Sequence, residues 1–213
     1  SFNGRVENYD VAVIGAGPAG SAAALAARRG GASVVLIDRA EFPRDKPCGD
    51  GIAPHALDVL AALGVTGAVD GFAPVPSLRL VSPGGETVAR PLARPAYTVP
   101  RTVFDARLVA AALAAGAVWR RRTVRSLRSD GGSVAVDGSV LCARVVIGAD
   151  GAGSVVRRHL GHARNPDGHL ALAIRGYALV PDGPVEQRIV TASAQWPAYA
   201  WAFPIGDGRA NVG

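Results

Sequence analysis

Tyr9-Asp10-Val11-Ala12-Val13-Ile14-Gly15-Ala16-Gly17-Pro18-Ala19-Gly20 is the stretch that decides the fold. Tyr9–Ile14 is a short, mostly apolar run of the kind that forms a buried parallel strand, and Pro18–Arg29 predicts an Ala-rich helix stopped by Gly30-Gly31. Between them, Gly15, Gly17 and Gly20 fit the pattern GxGxxG. The first glycine permits a tight turn, the second lets backbone approach a pyrophosphate, and the third allows close helix packing, while the helix N-terminus faces the anion. Ser33–Ile37 reads as a second buried strand, and Asp38 follows Gly20 by 18 positions at its end. A carboxylate there can accept hydrogen bonds from an adenosine ribose. Strand, glycines, helix, strand and acid occur in order, which is a dinucleotide-binding βαβ unit in an α/β chain. The bland alternative is a glycine-rich turn with an incidental Asp.

Outward from this unit, Pro54–Leu63 predicts a second amphipathic helix ended by Gly64. Between Gly71 and Pro100 the prolines multiply, and Leu78–Ser82 is joined to Glu86–Arg90 by Pro83-Gly84-Gly85, a hairpin signature. Arg101–Ala115 returns to helical periodicity. Strands are expected at Ala117–Arg121, at Val124–Arg128 turning into Ser133–Val136, and at Ala143–Ile147, which runs into Gly148-Ala149-Asp150-Gly151 before a helix at Gly153–Leu160. Beyond a linker at Asn165-Pro166-Asp167-Gly168, alternation over His169–Leu179, Glu186–Ser193, Tyr199–Phe203 and Arg209–Val212 predicts an antiparallel sheet. The expected domains are therefore a discontinuous dinucleotide-binding unit, 1–70 and 101–168, and an antiparallel unit, 71–100 and 169–213.

The 213 residues, 49% apolar, suffice for one large domain or two small ones and argue against disorder. No apolar run approaches the roughly 20 residues of a membrane-spanning helix. The formal net charge of +6 raises the question of nucleic acid, but the arginines are dispersed. Their one tight run, Arg120-Arg121-Arg122, lacks interleaved aromatics and reads as a solvated strand edge, so no nucleic-acid partner is expected. Cys48 and Cys142 occupy unlike contexts with no secretory signal before them, which fits a reduced, cytoplasmic compartment. His159 and His162 straddle Gly161, so they suit surface or capping roles and no metal site is expected. With no Met in the chain, Ser1-Phe2-Asn3-Gly4 reads as a processing remnant, and Arg209–Gly213 resembles a strand in progress. The chain is expected to be the N-terminal portion of a longer protein.

Four ordered blocks carry a resemblance. They are the GxGxxG with Asp38-Arg39; Phe42-Pro43-Arg44-Asp45-Lys46-Pro47-Cys48-Gly49-Asp50-Gly51; Gly148-Ala149-Asp150-Gly151; and Tyr199-Ala200-Trp201-Ala202-Phe203-Pro204 followed by Ala210-Asn211-Val212-Gly213. In these the sequence resembles the flavoproteins related to p-hydroxybenzoate hydroxylase, and within them the geranylgeranyl reductase branch. The resemblance implies a Rossmann-type FAD-binding domain with an antiparallel β-sheet substrate domain, incomplete at the C-terminus. It also implies FAD as cofactor and NAD(P)H as reductant.

The resemblance distributes roles among residues. Gly15, Ala16, Gly17, Pro18, Ala19, Gly20 and Asp38 would hold the dinucleotide, Arg39 would lie along the adenine, and Val124 would place its backbone beside it. Arg101 would reach FAD with its guanidinium, the plain alternative being a surface Arg at a helix start. Asp150 and Gly151 would lie near FAD or the pyridine-nucleotide path, the plain alternative for Asp150 being a cap on the following helix. Cys48 and Gly49 would sit beside the isoalloxazine, where Gly49 presents no Cβ to collide. Cys48 is the candidate catalytic residue, as proton donor or substrate-positioning thiol, or else merely a small buried side chain. Arg44 and Lys46 are either neutralising charges for flavin or substrate pyrophosphate, or solvated loop charges. Tyr199, Trp201 and Phe203 alternate and so share a face. They are either core packing or, as in the reductases, the lining of an apolar substrate cavity that Tyr177 and Trp196 extend.

The function implied is an FAD-dependent oxidoreductase that reduces an isoprenoid-type C=C bond. The alternatives are a monooxygenase or halogenase acting on an aromatic intermediate, and a non-catalytic flavin-binding fragment. Halogenases of this kind rely on a Lys near the flavin, for which only Lys46 is available. Relatives are about twice as long and carry a Gly-Asp-Ala block beyond the substrate sheet, so the partners expected are the missing C-terminal half and an apolar isoprenoid or aromatic substrate. Peripheral contact with a membrane is compatible with such a substrate.

Overall fold

The computed structural model describes residues 6–138, 140–162, 165–166, 168–180 and 183–213. The expected Ser1–Gly4 remnant lies outside the described residues, as does Asp167 of the expected linker. In chain order the elements are β1 (Glu7–Ile14), α1 (Pro18–Arg29), β2 (Val34–Asp38), β3 (Gly51–Ile52), α2 (Pro54–Ala62), β4 (Val75–Val81), β5 (Thr87–Thr98) and α3 (Arg101–Ala114). They continue with β6 (Val118–Arg121), β7 (Leu127–Asp130), β8 (Ser133–Val136), β9 (Leu141–Gly148), α4 (Val155–His159), β10 (Gly176–Leu179), β11 (Gln187–Thr191), β12 (Tyr199–Pro204) and β13 (Arg209–Val212).

The chain divides into two compact units, Ser1–Arg44 with Asp105–Leu170, and Asp45–Phe104 with Ala171–Gly213. Residues 45–70 were expected with the dinucleotide-binding unit but cluster with the other. The reason is pairing: β3 joins the edge of β5 through Gly51↔Thr98 and Ile52↔Tyr97. Arg94 of β5 also donates to the Asp58 carboxylate and the Pro54 carbonyl of α2.

In the first unit the described strands form a sheet in the order β6-β2-β1-β9-β8-β7. The first four run parallel, and the β7–β8–β9 edge is antiparallel. Val13, Val34, Val35, Leu36 and Ile37 are at most 1% exposed, as a strand covered on both faces requires. Ala12, Val35, Ile37, Val136, Leu141 and Ala143 form the core on one face, with Val124 packed against it. Val124 is not in a strand. β7 starts only at Leu127, because the Asp137 carboxylate takes the Arg125 and Ser126 amides that would otherwise pair. The basic run is spent on ion pairs: Arg120 with Glu7 (2.7 Å), Arg121 with Glu41 (2.8 Å) and, more loosely, Arg122 with Asp137 (4.0 Å).

In the second unit the order is β10-β13-β12-β11-β4-β5-β3. Pairing is antiparallel except at one junction, where β11 runs parallel to β4. The strand expected over His169–Leu179 is confined to Gly176–Leu179, since its partner β13 offers only four pairing positions. Leu170, Leu172 and Ile174 are left exposed.

Candidate functional site

In the first unit, β1 ends at Ile14 and the chain turns at Gly15 with φ +97°, a left-handed conformation that favours glycine. A Cβ at Gly15 would collide with the Ala149 backbone and come within 2.8 Å of the Asp150 Cα. A Cβ at Gly20 would meet the Gly15 carbonyl oxygen and lie 3.2 Å from the Ala149 Cβ. The first and third glycines thus let turn and helix close onto each other and onto the end of β9. Gly17 is the N-cap of α1 with no side-chain cap, and Pro18 occupies the first turn, where its missing N–H costs nothing. The positive end of the α1 macrodipole therefore meets a turn with no acidic residue in its first turn. Ala16 is fully buried and Ala19 exposed.

Asp38, at the end of β2, accepts from the Ala16 amide (2.8 Å) and the Ala40 amide (2.9 Å). It braces the turn, and each oxygen keeps a second lone pair free of these two amides. Arg39 beside it is exposed. The N-cap of α4 is Ser154, whose Oγ accepts from the Arg157 amide (3.0 Å), and Asp150 supports it: its carboxylate accepts from Ser154 Oγ (2.5 Å) and the Val155 amide (2.6 Å). Gly151 follows at φ +76°, exposed, its carbonyl accepting the Ser154 amide. Arg44, expected to meet flavin, substrate or solvent, instead pairs with the wholly buried Asp105 at 2.9 Å and lies over the Phe42 ring. Arg101 heads α3 in the second unit, half-buried.

The second unit holds a cavity of about 520 Å³, lined by Cys48, Gly49, Gly51, Ile189, Thr191, Trp196, Pro197, Tyr199, Trp201 and Phe203. The alternating aromatics of β12 do share a face, and that face is a cavity wall. The Tyr199 and Trp201 rings lie 5.9 Å apart, and Trp196 and Tyr199 remain 64% and 59% exposed, so core packing does not describe them. Cys48 is exposed, so it is not a small buried side chain. Gly49 and Gly51 approach the Phe203 ring closely enough that a Cβ on either would stand 3.3 Å from it. Lys46 is exposed on the same loop, its amide bonded to Asp45.

Two residues, Asp50 and Asn211, were given no role from sequence. Asp50 is 1% exposed and accepts from Tyr177 Oη and Asn211 Nδ2, both at 2.7 Å. Tyr177 therefore belongs to this network and not to the cavity wall. Asn211, wholly buried, also donates to the Cys48 carbonyl (2.8 Å) and accepts from the Trp201 indole (2.8 Å). Desolvation pushes the Asp50 carboxyl above the ordinary carboxylate range, against the opposing hydrogen bonds from Tyr177 and Asn211 and the nearby Arg175. Burial and the Asp50 acceptor push the Tyr177 phenol up to about 12. The available signals were an acid between two glycines and one polar residue inside the apolar run Ala210–Val212.

A glycine turn closed on the helix it feeds, with an acid bracing it from the next strand, defines a Rossmann-type dinucleotide-binding protein. The family model described as "FAD binding domain" matches residues 8–174, and the chain belongs to that family. Its turn fits FAD on structural grounds, since the α1 terminus carries neither a side-chain cap nor an acidic residue in its first turn. Among relatives, the menaquinone reductase of Mycolicibacterium smegmatis is 37% identical over 96% of this chain and 54% of its own length. The digeranylgeranylglycerophospholipid reductase 2 of Methanopyrus kandleri is 35% identical over 96% of this chain and 54% of its own. A geranylgeranyl bacteriochlorophyll reductase-like protein of Thermoplasma acidophilum superposes with a TM-score of 0.75 at 26% identity, covering 97% of this chain and 56% of that one. The chain spans about half the length of the curated relatives it matches.

Proposed function

We propose that this chain is the FAD- and substrate-binding portion of an NAD(P)H-dependent reductase acting on a C=C bond of a polyprenyl-bearing lipid. The observation that carries the reading is the cavity of about 520 Å³, whose wall is an aromatic row meeting an exposed thiol and two glycines. A wall of this kind excludes water and takes a long apolar chain through contact area, with few polar groups to orient it. The names of the two curated relatives, a menaquinone reductase and a digeranylgeranylglycerophospholipid reductase, support a polyprenyl lipid over a small polar substrate.

In this reading Gly15, Ala16, Gly17, Pro18, Ala19 and Gly20 present backbone and helix terminus to the diphosphate, and Asp38 offers its spare lone pairs to the ribose. Arg39 and the Val124 backbone flank the adenine. Arg101, Gly151 and Asp150, the last already hydrogen-bonded to Ser154 and Val155, contribute at the periphery. When bound, FAD supplies the hydride chemistry. The Cys48 thiol holds the proton or positions the chain, Gly49 leaves room for a planar group, and Tyr199, Trp201 and Phe203 orient the substrate. The partner for the rest of the site is the further length of polypeptide that the relatives possess. The protein works in a reducing, cytoplasmic compartment and meets its lipid at a membrane surface; among the described residues no helix is long and apolar enough to cross a membrane.

The test is anaerobic. The full-length, FAD-loaded protein is reduced with NADH or NADPH and then offered polyprenyl quinones and polyprenyl glycerolipids. Flavin reoxidation with a saturated product, formed without oxygen, is the expected result. Strict dependence on oxygen would replace the reading with a monooxygenase or halogenase, and a flavin that no nicotinamide bleaches would reduce it to a non-catalytic flavin-binding unit.

A further inference from the structure

Asp50 stands between the two glycines of the cavity wall, at φ +61°. A glycine would adopt that backbone more easily, so what the position gains from Asp is the carboxylate. One of its oxygens, Oδ2, receives both hydrogen bonds, from Tyr177 and Asn211; Oδ1 is buried with no hydrogen-bond partner among the described residues. Asn211 passes the constraint on. One amide hydrogen goes to Asp50 and the other to the Cys48 carbonyl, and the amide oxygen accepts the Trp201 indole N–H. With both donors and the acceptor engaged, the amide has one orientation only. Cys48 and Trp201 both line the cavity. A single buried carboxylate is thereby tied, through one amide, to two separate segments of the wall.

We infer that Asp50 is a positioning residue of this cavity: acting through Asn211 it holds the Cys48 carbonyl and the Trp201 indole in one arrangement, and loss of its negative charge, by substitution or protonation, loosens both together. Hydrogen bonds to an ionised acceptor are about twice as strong as neutral ones, so the neutral carboxyl holds Asn211 less firmly. A proton on Oδ1 would also be a buried donor with no acceptor among the described residues. The charged and titratable groups around Asp50 are Tyr177, Arg175 and Asp45. Arg175 pairs with Asp45 and lies 4.8 Å over the Tyr177 ring, while Arg209 lies 5.8 Å from that ring and pairs with Asp207 at 2.6 Å. Desolvation brings protonation of Asp50 to a less acidic pH than an ordinary Asp shows. The consequence for turnover rests on the proposed reading of the cavity as the substrate site; the arrangement itself does not.

The experiment measures alkylation of Cys48 by iodoacetamide in the full-length, FAD-loaded protein, by peptide mass spectrometry across a pH series. Cys142, in the other unit, serves as the internal reference. Asp50→Asn should raise the Cys48 rate relative to Cys142 by about fivefold, the equivalent of roughly one net hydrogen bond, and abolish the acid-side inflection of the wild-type profile. Trp201→Phe, which deletes the indole donor at the far end together with part of the ring, should give a smaller rise and keep the inflection. Asp50→Glu, once accommodated, should restore the inflection. If Asp50→Asn does not fold, Tyr177→Phe takes its place and should shift the inflection, because it removes one of two donors to the carboxylate. Unchanged Cys48 rates and profiles in the folded variants would overturn the inference. Altered Cys48 reactivity in a protein that reduces no polyprenyl substrate would leave the positioning role standing and sink the proposed function. Normal polyprenyl turnover with unaltered reactivity would do the reverse.

Discussion

Gly15→Ala is the substitution whose cost can be worked most fully from the structure. At φ +97° an alanine carries backbone strain of about 1–2 kcal/mol. Its Cβ would also meet the Ala149 carbonyl and come within 2.8 Å of the Asp150 Cα, and these are backbone atoms of β9's end that have no rotamer to change. Overpacking of that kind adds about 1–3 kcal/mol, so the total is about 2–5 kcal/mol. For a chain of this size that is a fall of about 4–20 °C in Tm. Gly31→Ala is the matched control: φ is +84°, but nothing lies within 4 Å of its Cβ position. Strain remains and collision does not, so on the same ledger the cost falls to about 1–2 kcal/mol. Thermal unfolding of the flavin-free protein, followed by far-ultraviolet circular dichroism, measures both. FAD titration of the same samples should show about a tenfold or greater loss of affinity for Gly15→Ala alone, since a displaced turn misdirects its amides. If Gly15→Ala melts no lower than Gly31→Ala, the claim that this glycine is required by the approach of Ala149–Asp150 fails.

Arg44→Ala should destabilise by about 1–3 kcal/mol, because it removes one ionic partner of a carboxylate with no exposure; a chemical-denaturation midpoint unmoved from wild type would contradict this. Glu7 is held below the usual carboxylate range by its hydrogen bond to Arg120, so its contribution is present above the unfolded pKa of about 4.5 and lost as pH falls through the lowered folded value. Both side chains are partly exposed, so Arg120→Gln should cost only about 0.2–1 kcal/mol at neutral pH and nothing in strong acid, as read from urea midpoints along a pH series. Asp50 has the opposite sign. Its folded pKa lies above the ordinary 3.8, so the native state loses ground as pH rises from there through the folded value. The stability of Asp50→Asn relative to wild type should therefore improve with rising pH, and a constant gap would refute the raised pKa.

The sequence by itself determined the features whose causes are local. The βαβ opening follows from short apolar strand runs on either side of a segment with helical spacing, joined across glycines, with Asp38 at the end of the second run. The sharing of one face by Tyr199, Trp201 and Phe203 follows from strand alternation alone. That the shared face borders a cavity did not follow from alternation, because an aromatic row has the same period whether it meets a core or a void. Tertiary structure decided everything that depends on the choice of a distant partner. It paired β4 with β11 in parallel across more than 100 residues, moved residues 45–70 to the second unit through the β3–β5 pairing, and cut β10 to the length of β13. It also spent Asp150 on the start of α4 and Arg44 on Asp105, and joined Asp50 to Asn211 across 161 positions. For the side chains the physical reason is common. A charged or amide side chain has several admissible partners, and only the packed chain, by removing water from one of them, fixes which hydrogen bond must be made.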